Sequence, residues 1–189
     1  GVFVCYTMIM EIFNKEPVAT GSWEDNYDWE IHSDNEIPPI ELITAVACIA
    51  LVDNNEGIVL TRNQRGWEIL AGHIESGERP EDALHREALE EGGYVISSAT
   101  PFGYRKITAR QHPPAGSRES TYPYPTSYIA YFLAQTNSPI GNVTGEEIIE
   151  SRVFAKDELQ LLVEAGELTD MEHAIIKLGL EGLDTDQAI

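Results

Sequence analysis

Glu87, Glu90 and Glu91 fall at intervals of three and four residues. On a helix, Glu87 then shares a face with either of the others, and a modest rotation aims all three carboxylates at one edge. Oxygen donors gathered in this way suit Mg²⁺, which keeps several waters and binds phosphate oxygens beside one or more carboxylates. Mn²⁺ is the natural substitute for such a donor set. Arg86 precedes Glu90 by four residues and can pair with it, fixing the carboxylate in place. The spacing alone is also that of an ordinary solvated acidic helix face, so the flanking sequence has to decide between the two.

The flanks mark a helix from Pro80 to Glu91. Proline suits a first helical turn because no N–H is needed there, and Gly92-Gly93 suits the end because glycine tolerates left-handed geometry. Ala83, Leu84 and Ala88 give this helix a small apolar surface for docking on a sheet. The loop before it, Gly72–Arg79, contains Gly72 and Gly77, whose backbone freedom lets a carbonyl reach a metal and lets Glu78 turn back toward the helix.

Upstream, ITAVACIALV at Ile43–Val52 reads as a buried strand, Asp53–Gly57 as a turn and Ile58–Arg62 as the returning strand of a hairpin. Short strands are expected at Trp67–Leu70, Tyr94–Ser97, Phe102–Thr108, Ser127–Ala134 and Ile148–Phe154, with a Pro/Gly/Ser-rich loop at Gln111–Pro125. Helices are expected at Lys156–Ala165 and Asp170–Leu180. This mixture indicates an α+β fold rather than a regular βαβ repeat. Residues 1–42 read as an N-terminal extension of strand and loop, with an edge strand at Val2–Met10 and a candidate contact between two copies of the chain, and 43–189 as the catalytic domain.

A formal charge of −20 over 189 residues argues against stable binding of DNA or RNA, while a short phosphate ligand can be held where bound cations reverse the local field. The apolar run at Val2–Met10 is too short to cross a bilayer, and nothing else suggests a membrane. Cys5 and Cys48 are isolated, with no CxxC spacing, so neither a zinc site nor a disulfide scaffold is suggested and a reducing cytoplasm fits best.

The segment GHIESGERPEDALHREALEEGGY, Gly72 to Tyr94, resembles the Nudix box, G-x5-E-x7-R-E-U-x-E-E-x-G-U with U a bulky aliphatic residue. Gly72, Glu78, Arg86, Glu87, Glu90, Glu91 and Gly93 fill its invariant positions, whereas Ala88 is small and Tyr94 aromatic at the two softer ones. The similarity runs from about Thr44 to Leu162, taking in the hairpin before the box and Glu150–Phe154 with Asp157-Glu158-Leu159 after it; Ala71-Gly72-His73 stands where Pro-Gly-Gly is usual. The resemblance implies an α/β/α sandwich around a mixed, twisted sheet. It further implies Mg²⁺-dependent hydrolysis of a diphosphate linkage in a nucleoside diphosphate derivative, a nucleoside triphosphate or a nucleotide sugar of the ADP-ribose type, releasing a monophosphate. Glu87, Glu90 and Glu91 would be metal ligands, helped by the Gly72 carbonyl and Glu78, with Glu90 or Glu91 able to activate water.

Outside the box, Glu146 and Glu147 are the candidates for a general base, with Glu147 the expected catalytic residue. Arg62, Arg65 and Arg105 are candidate phosphate clamps in a chain where cations are scarce. His73 reads as a loop or packing histidine, and Trp67, Tyr122, Tyr124 and Tyr128 as core. The rival to catalysis is a Nudix-like module that senses a nucleotide without cutting it, which would be expected to have lost at least one of these carboxylates.

Overall fold

Strand β3 (Ile43–Val52) alternates so strictly that it faces two cores at once: Val46, Cys48, Ala50 and Val52 belong to one cluster, and Ala47, Ile49 and Leu51 to the other. A strand buried on both faces must be central, and the computed structural model places it there. Described in it are residues 16–23, 26–52, 55–137, 139, 143–145 and 147–186, with side chains as far as 181. The expected strand at Val2–Met10, Cys5, Asp53-Asn54 of the turn and Glu146 lie outside the described residues.

The remaining strands are β1 (Ala19–Trp23), β2 (Tyr27–Ser33), β4 (Gly57–Asn63), β5 (Gly66–Glu68), β6 (Leu70–His73), β7 (Ile96–Ala109), β8 (Thr126–Thr136) and β9 (Glu150–Ala155). They form one sheet in the order β1-β2-β7-β8-β3-β4-β5, with β6 against β3 and β9 against β4. The β3–β8 pair is parallel and the other named pairs are antiparallel, so the sheet is mixed.

Helix α1 (Pro80–Glu87) buries Ala83 and Leu84 against the face of β3 that carries Val46 and Cys48. Helices α2 (Glu158–Glu164) and α3 (Asp170–Asp186) cover the opposite face through Leu159, Ile175 and Ile176. Each large aliphatic fully buried in this way contributes about 1.5–3 kcal/mol relative to an exposed one. The result is the expected α/β/α sandwich with an α+β element order. No helix among the described residues is long and apolar enough to cross a membrane.

Several element boundaries differ from the sequence reading. The strands expected at Tyr94–Ser97 and Phe102–Thr108 are one long strand, β7, because register shifts beside Ile96 and Pro101 absorb the residues that would have ended it. The strand expected at Trp67–Leu70 divides at Ile69 into β5, which pairs with β4, and β6, which pairs with β3. Strands β1 and β2 pair antiparallel, and β2 runs along β7 from Tyr27↔Ala109 to Ser33↔Gly103, adding two strands to the sheet.

The helix expected over Pro80–Glu91 keeps α-helical geometry only to Glu87 and continues as a wider π-helical turn over Ala88–Gly92. Gly93 ends it in the left-handed region, at φ 77°, as the paired glycines suggest. Such π-helical turns recur at functional sites because they re-aim the side chains that follow.

Ala88, fully buried at this transition, is where extra volume would be felt most. Ala88→Leu is expected to cost about 1–3 kcal/mol in urea unfolding of the metal-free protein, whereas exposed Leu89→Ala should change stability by less than about 0.5 kcal/mol.

Candidate active site

Gly72 lies on β6 opposite Val46, with Glu87 laid directly over it: a Cβ on residue 72 would collide with the Glu87 carboxylate. A bare Cα is what lets the carboxylate lie here; any larger residue would push the flexible Glu87 side chain off the sheet. Glu91, one turn further on, accepts a hydrogen bond from the Ala71 N–H at 2.9 Å. Two carboxylates are thus drawn onto the edge of one short strand.

Arg86 holds the group together. Its Nε and Nη2 donate to the two oxygens of Glu78, each at 2.9 Å, and Nη1 donates to Glu87 at 2.7 Å and to Glu90 at 3.2 Å. Nη2 also donates to the His73 carbonyl at 3.0 Å, tying the helix to the end of β6. The i,i+4 pairing with Glu90 expected from sequence is present, but the two-pronged contact goes to Glu78. That carboxylate also accepts from the Glu75 N–H, and its pKa lies below the usual range chiefly because of Arg86. Glu78 positions the arginine that positions the others.

The remaining carboxylates carry the electrostatic cost. Burial raises the pKa of Glu87, with Arg86 opposing it and Glu90 and Glu78 adding to it. Glu91 is pushed up to about 7, first by burial and then by the charges of Glu87, Glu68 and Glu90. An all-oxygen donor set, partly buried and mutually repelling beside a glycine, fits a hard divalent cation. Among the described residues no three such side chains already stand at coordination distance, since Glu87 and Glu90 each turn an oxygen to Arg86.

These groups open into a cleft of about 910 Å³, a size that takes a nucleotide-like ligand. Its lining brings together Gly72, Arg86, Glu87, Glu90 and Glu91 with Arg65, Arg105 and Glu147. Glu147 reaches the rim because Thr144 and Gly145 donate backbone hydrogen bonds to the Glu90 carbonyl, at 2.8 and 3.0 Å, clamping the loop to the end of the helix. Arg65 is mostly exposed at the mouth and pairs with Glu68, whereas Arg105 is 6% exposed. Arg62 is not in the lining. It lies over the Trp67 ring and pairs with Glu167 at 3.7 Å.

Other lining residues escaped the sequence reading. Glu68, Glu172 and Arg118 arrive from β5, the first turn of α3 and the loop after β7, with no local motif to announce them. Tyr122, read as core, also lines the cleft; His73 stacks against it, with ring centroids 5.9 Å apart, and Arg118 reaches the His73 ring nitrogen at 3.2 Å. Trp67 and Tyr128 are core residues as expected, while Tyr124 is exposed.

The NUDIX domain matches residues 41–173. The NAD-capped RNA hydrolase NudC of Escherichia coli is 28% identical over 126 residues, which is 65% of this chain and 43% of that protein. The chain thus spans less than half the length of that relative. In three dimensions the chain is similar to a mutant of the Bacillus subtilis pyrophosphohydrolase BsRppH, with a TM-score of 0.61 and 15% identity over 89% of this chain and 98% of the other. A NUDIX hydrolase from Nitrosomonas europaea gives a TM-score of 0.54 and 23% identity, covering 74% and 90% respectively.

The raised pKa of Glu91 has a stability consequence whose sign is fixed. The folded state holds the proton more tightly than the unfolded state, so this contribution is present in full below the ordinary carboxylate range and is lost as pH rises to about 7. Metal-free Glu91→Gln should therefore be more stable than the parent at pH 8, by about 2 kcal/mol after discounting for partial exposure, and nearly equal to it at pH 4. Thermal unfolding in chelator at both pH values measures this, and an unchanged or lowered melting temperature at pH 8 would contradict it.

Proposed function

Because the chain belongs to the Nudix family, we propose that it is a metal-dependent pyrophosphohydrolase that cuts the diphosphate linkage of a small nucleoside diphosphate derivative, a nucleoside triphosphate or a nucleotide sugar, releasing a monophosphate. The observation that carries this reading is the juxtaposition of Glu87 and Glu91 on the edge of β6, held against their own repulsion at the wall of a nucleotide-sized cleft. A binding module with no metal to hold would gain nothing from that arrangement.

Glu87, Glu90, Glu91 and the Gly72 carbonyl are the groups that would hold Mg²⁺ or Mn²⁺. Such an ion supplies charge neutralisation at the diphosphate and a more acidic water. The other residues have roles of their own. Arg86 keeps the carboxylates oriented. Arg65, exposed at the mouth, and Arg118 beside His73 suit phosphate oxygens, and Arg105 faces the part of the substrate that enters deepest. Glu147 at the rim accepts the proton of the attacking water.

The lining carries seven glutamates against four arginines, so an anionic substrate needs added cations to enter. With a chain charge of −20, this favours a short ligand over a nucleic-acid polymer. In this reading residues 43–189 form the catalytic domain, 1–42 are its extension, and the buried free thiol of Cys48 belongs to a reducing cytoplasm.

The test is release of phosphate or monophosphate from a panel of nucleoside triphosphates, ADP-ribose, nucleotide sugars and dinucleoside polyphosphates, with Mg²⁺ or Mn²⁺. Cleavage of at least one substrate is expected, abolished by chelator and lowered by about 100-fold or more in Glu90→Gln. Tight nucleotide binding with no metal-dependent turnover would overturn it in favour of a sensor.

A further inference from the structure

Beyond the carboxylates the cleft continues onto the sheet face that α3 covers. Ala45 and Ala47 on β3 and Ala71 on β6 point the same way there, since Ala47 pairs with Ala71, and their small side chains leave a recess. Three polar side chains converge on it: Arg105 from β7, Tyr131 from β8 and Glu172 from the first turn of α3.

Two of the three carry a buried polar atom that the packing leaves unpartnered, and the third, Glu172, faces the charge of Arg105. Arg105 is 6% exposed, and its Nε has no hydrogen-bond partner. The guanidinium lies over the rings of Trp23 and Tyr131, at 5.3 and 5.7 Å from their centroids, which offsets part of its desolvation but leaves Nε unused. The Tyr131 hydroxyl, buried beside it, makes no hydrogen bond of good geometry. Glu172 accepts from the Ile69 N–H at 3.3 Å through one oxygen. A buried Nε and a buried hydroxyl left in this condition cost about 1–3 kcal/mol each, so their retention in a cleft points to a ligand that completes them.

We propose that this recess reads the base of the substrate and is matched to guanine, with Arg105 donating to the O6 and N7 acceptors and Glu172 accepting from N1–H and the 2-amino group. The alanine floor leaves room for the flat ring. Adenine would set its 6-amino donor against the Arg105 donors and offers no matching pair of N–H groups to a carboxylate. A site with buried polar groups rejects a ligand that leaves them unpaired far more strongly than an apolar pocket rejects a misshapen one. The inference rests on the proposed function only for the direction in which the phosphates leave the recess, toward Glu87 and Glu91.

The experiment is calorimetric titration of the full chain with GMP, IMP and AMP in the presence of Mg²⁺, where no hydrolysis occurs because a monophosphate has no diphosphate linkage to cut. The shared monophosphate cancels between them, and IMP differs from GMP only in lacking the 2-amino group. GMP should bind at least about tenfold more tightly than AMP, with IMP in between. Glu172→Gln, which keeps an acceptor for the Ile69 N–H, should bring GMP and IMP to within about twofold of each other. Equal or tighter binding of AMP, an unchanged ratio of GMP to IMP in Glu172→Gln, or no binding of any of the three would overturn the proposal. Because no turnover is involved, a protein that ranks the bases as expected yet cleaves nothing in the substrate panel would refute the hydrolase reading and leave this one standing.

Discussion

Like charges do not stay together unless something holds them, and here Arg86 does so. One guanidinium contacts Glu78, Glu87 and Glu90 and also the carbonyl of His73, so it offsets part of the carboxylates' repulsion and fastens α1 to the end of β6. A planar fork with five donors can do this where a lysine could not. Glu78 matters because it fixes the fork from the loop side, and Gly72 because its bare Cα leaves Glu87 somewhere to lie.

The sheet supplies the rigid frame for that arrangement. Alternation along β3 fixes which face receives α1 and which receives α2 and α3, and a slip of one residue would exchange the two cores. β6 pairs with β3 over four residues, Ala45↔His73 to Cys48↔Leu70, so Gly72 turns toward the helix while Ala71 and His73 turn toward the opposite face. The cleft wraps around that short strand. Carboxylates arrive from below it, and small residues open space above it. Burial that raises Glu91 to about 7 is a stability cost retained at the site, as expected where function opposes folding.

The helix of the site was legible because its information is local. Pro80, the spaced glutamates and Gly92-Gly93 define start, face and end within a short stretch, and the α/β/α layering follows from β3 and from the resemblance that the box carries. The π-helical turn at Ala88–Gly92 was not legible, because it depends on how the helix end meets the sheet and the loop tied to the Glu90 carbonyl. Glu68 and Glu172 could not be found for a similar reason: each is an ordinary acidic residue in its own element, and the topology alone brings them into the same cleft. Arg62 and Arg65 show the limit most simply. They stand three residues apart across a tight turn, yet only Arg65 lines the cleft, while Arg62 is engaged by Glu167 and Trp67.

The most direct test of whether the gathered carboxylates form a cation site is Mn²⁺ titration of the chain at neutral pH, with free Mn²⁺ followed by electron paramagnetic resonance and Glu87→Gln as the comparison. If burial and repulsion at Gly72 serve a divalent cation, the parent chain binds Mn²⁺ saturably and the substitution weakens binding by about tenfold or more. Equal binding by the two proteins, or none by the parent, would mean that these carboxylates are held together for some other purpose.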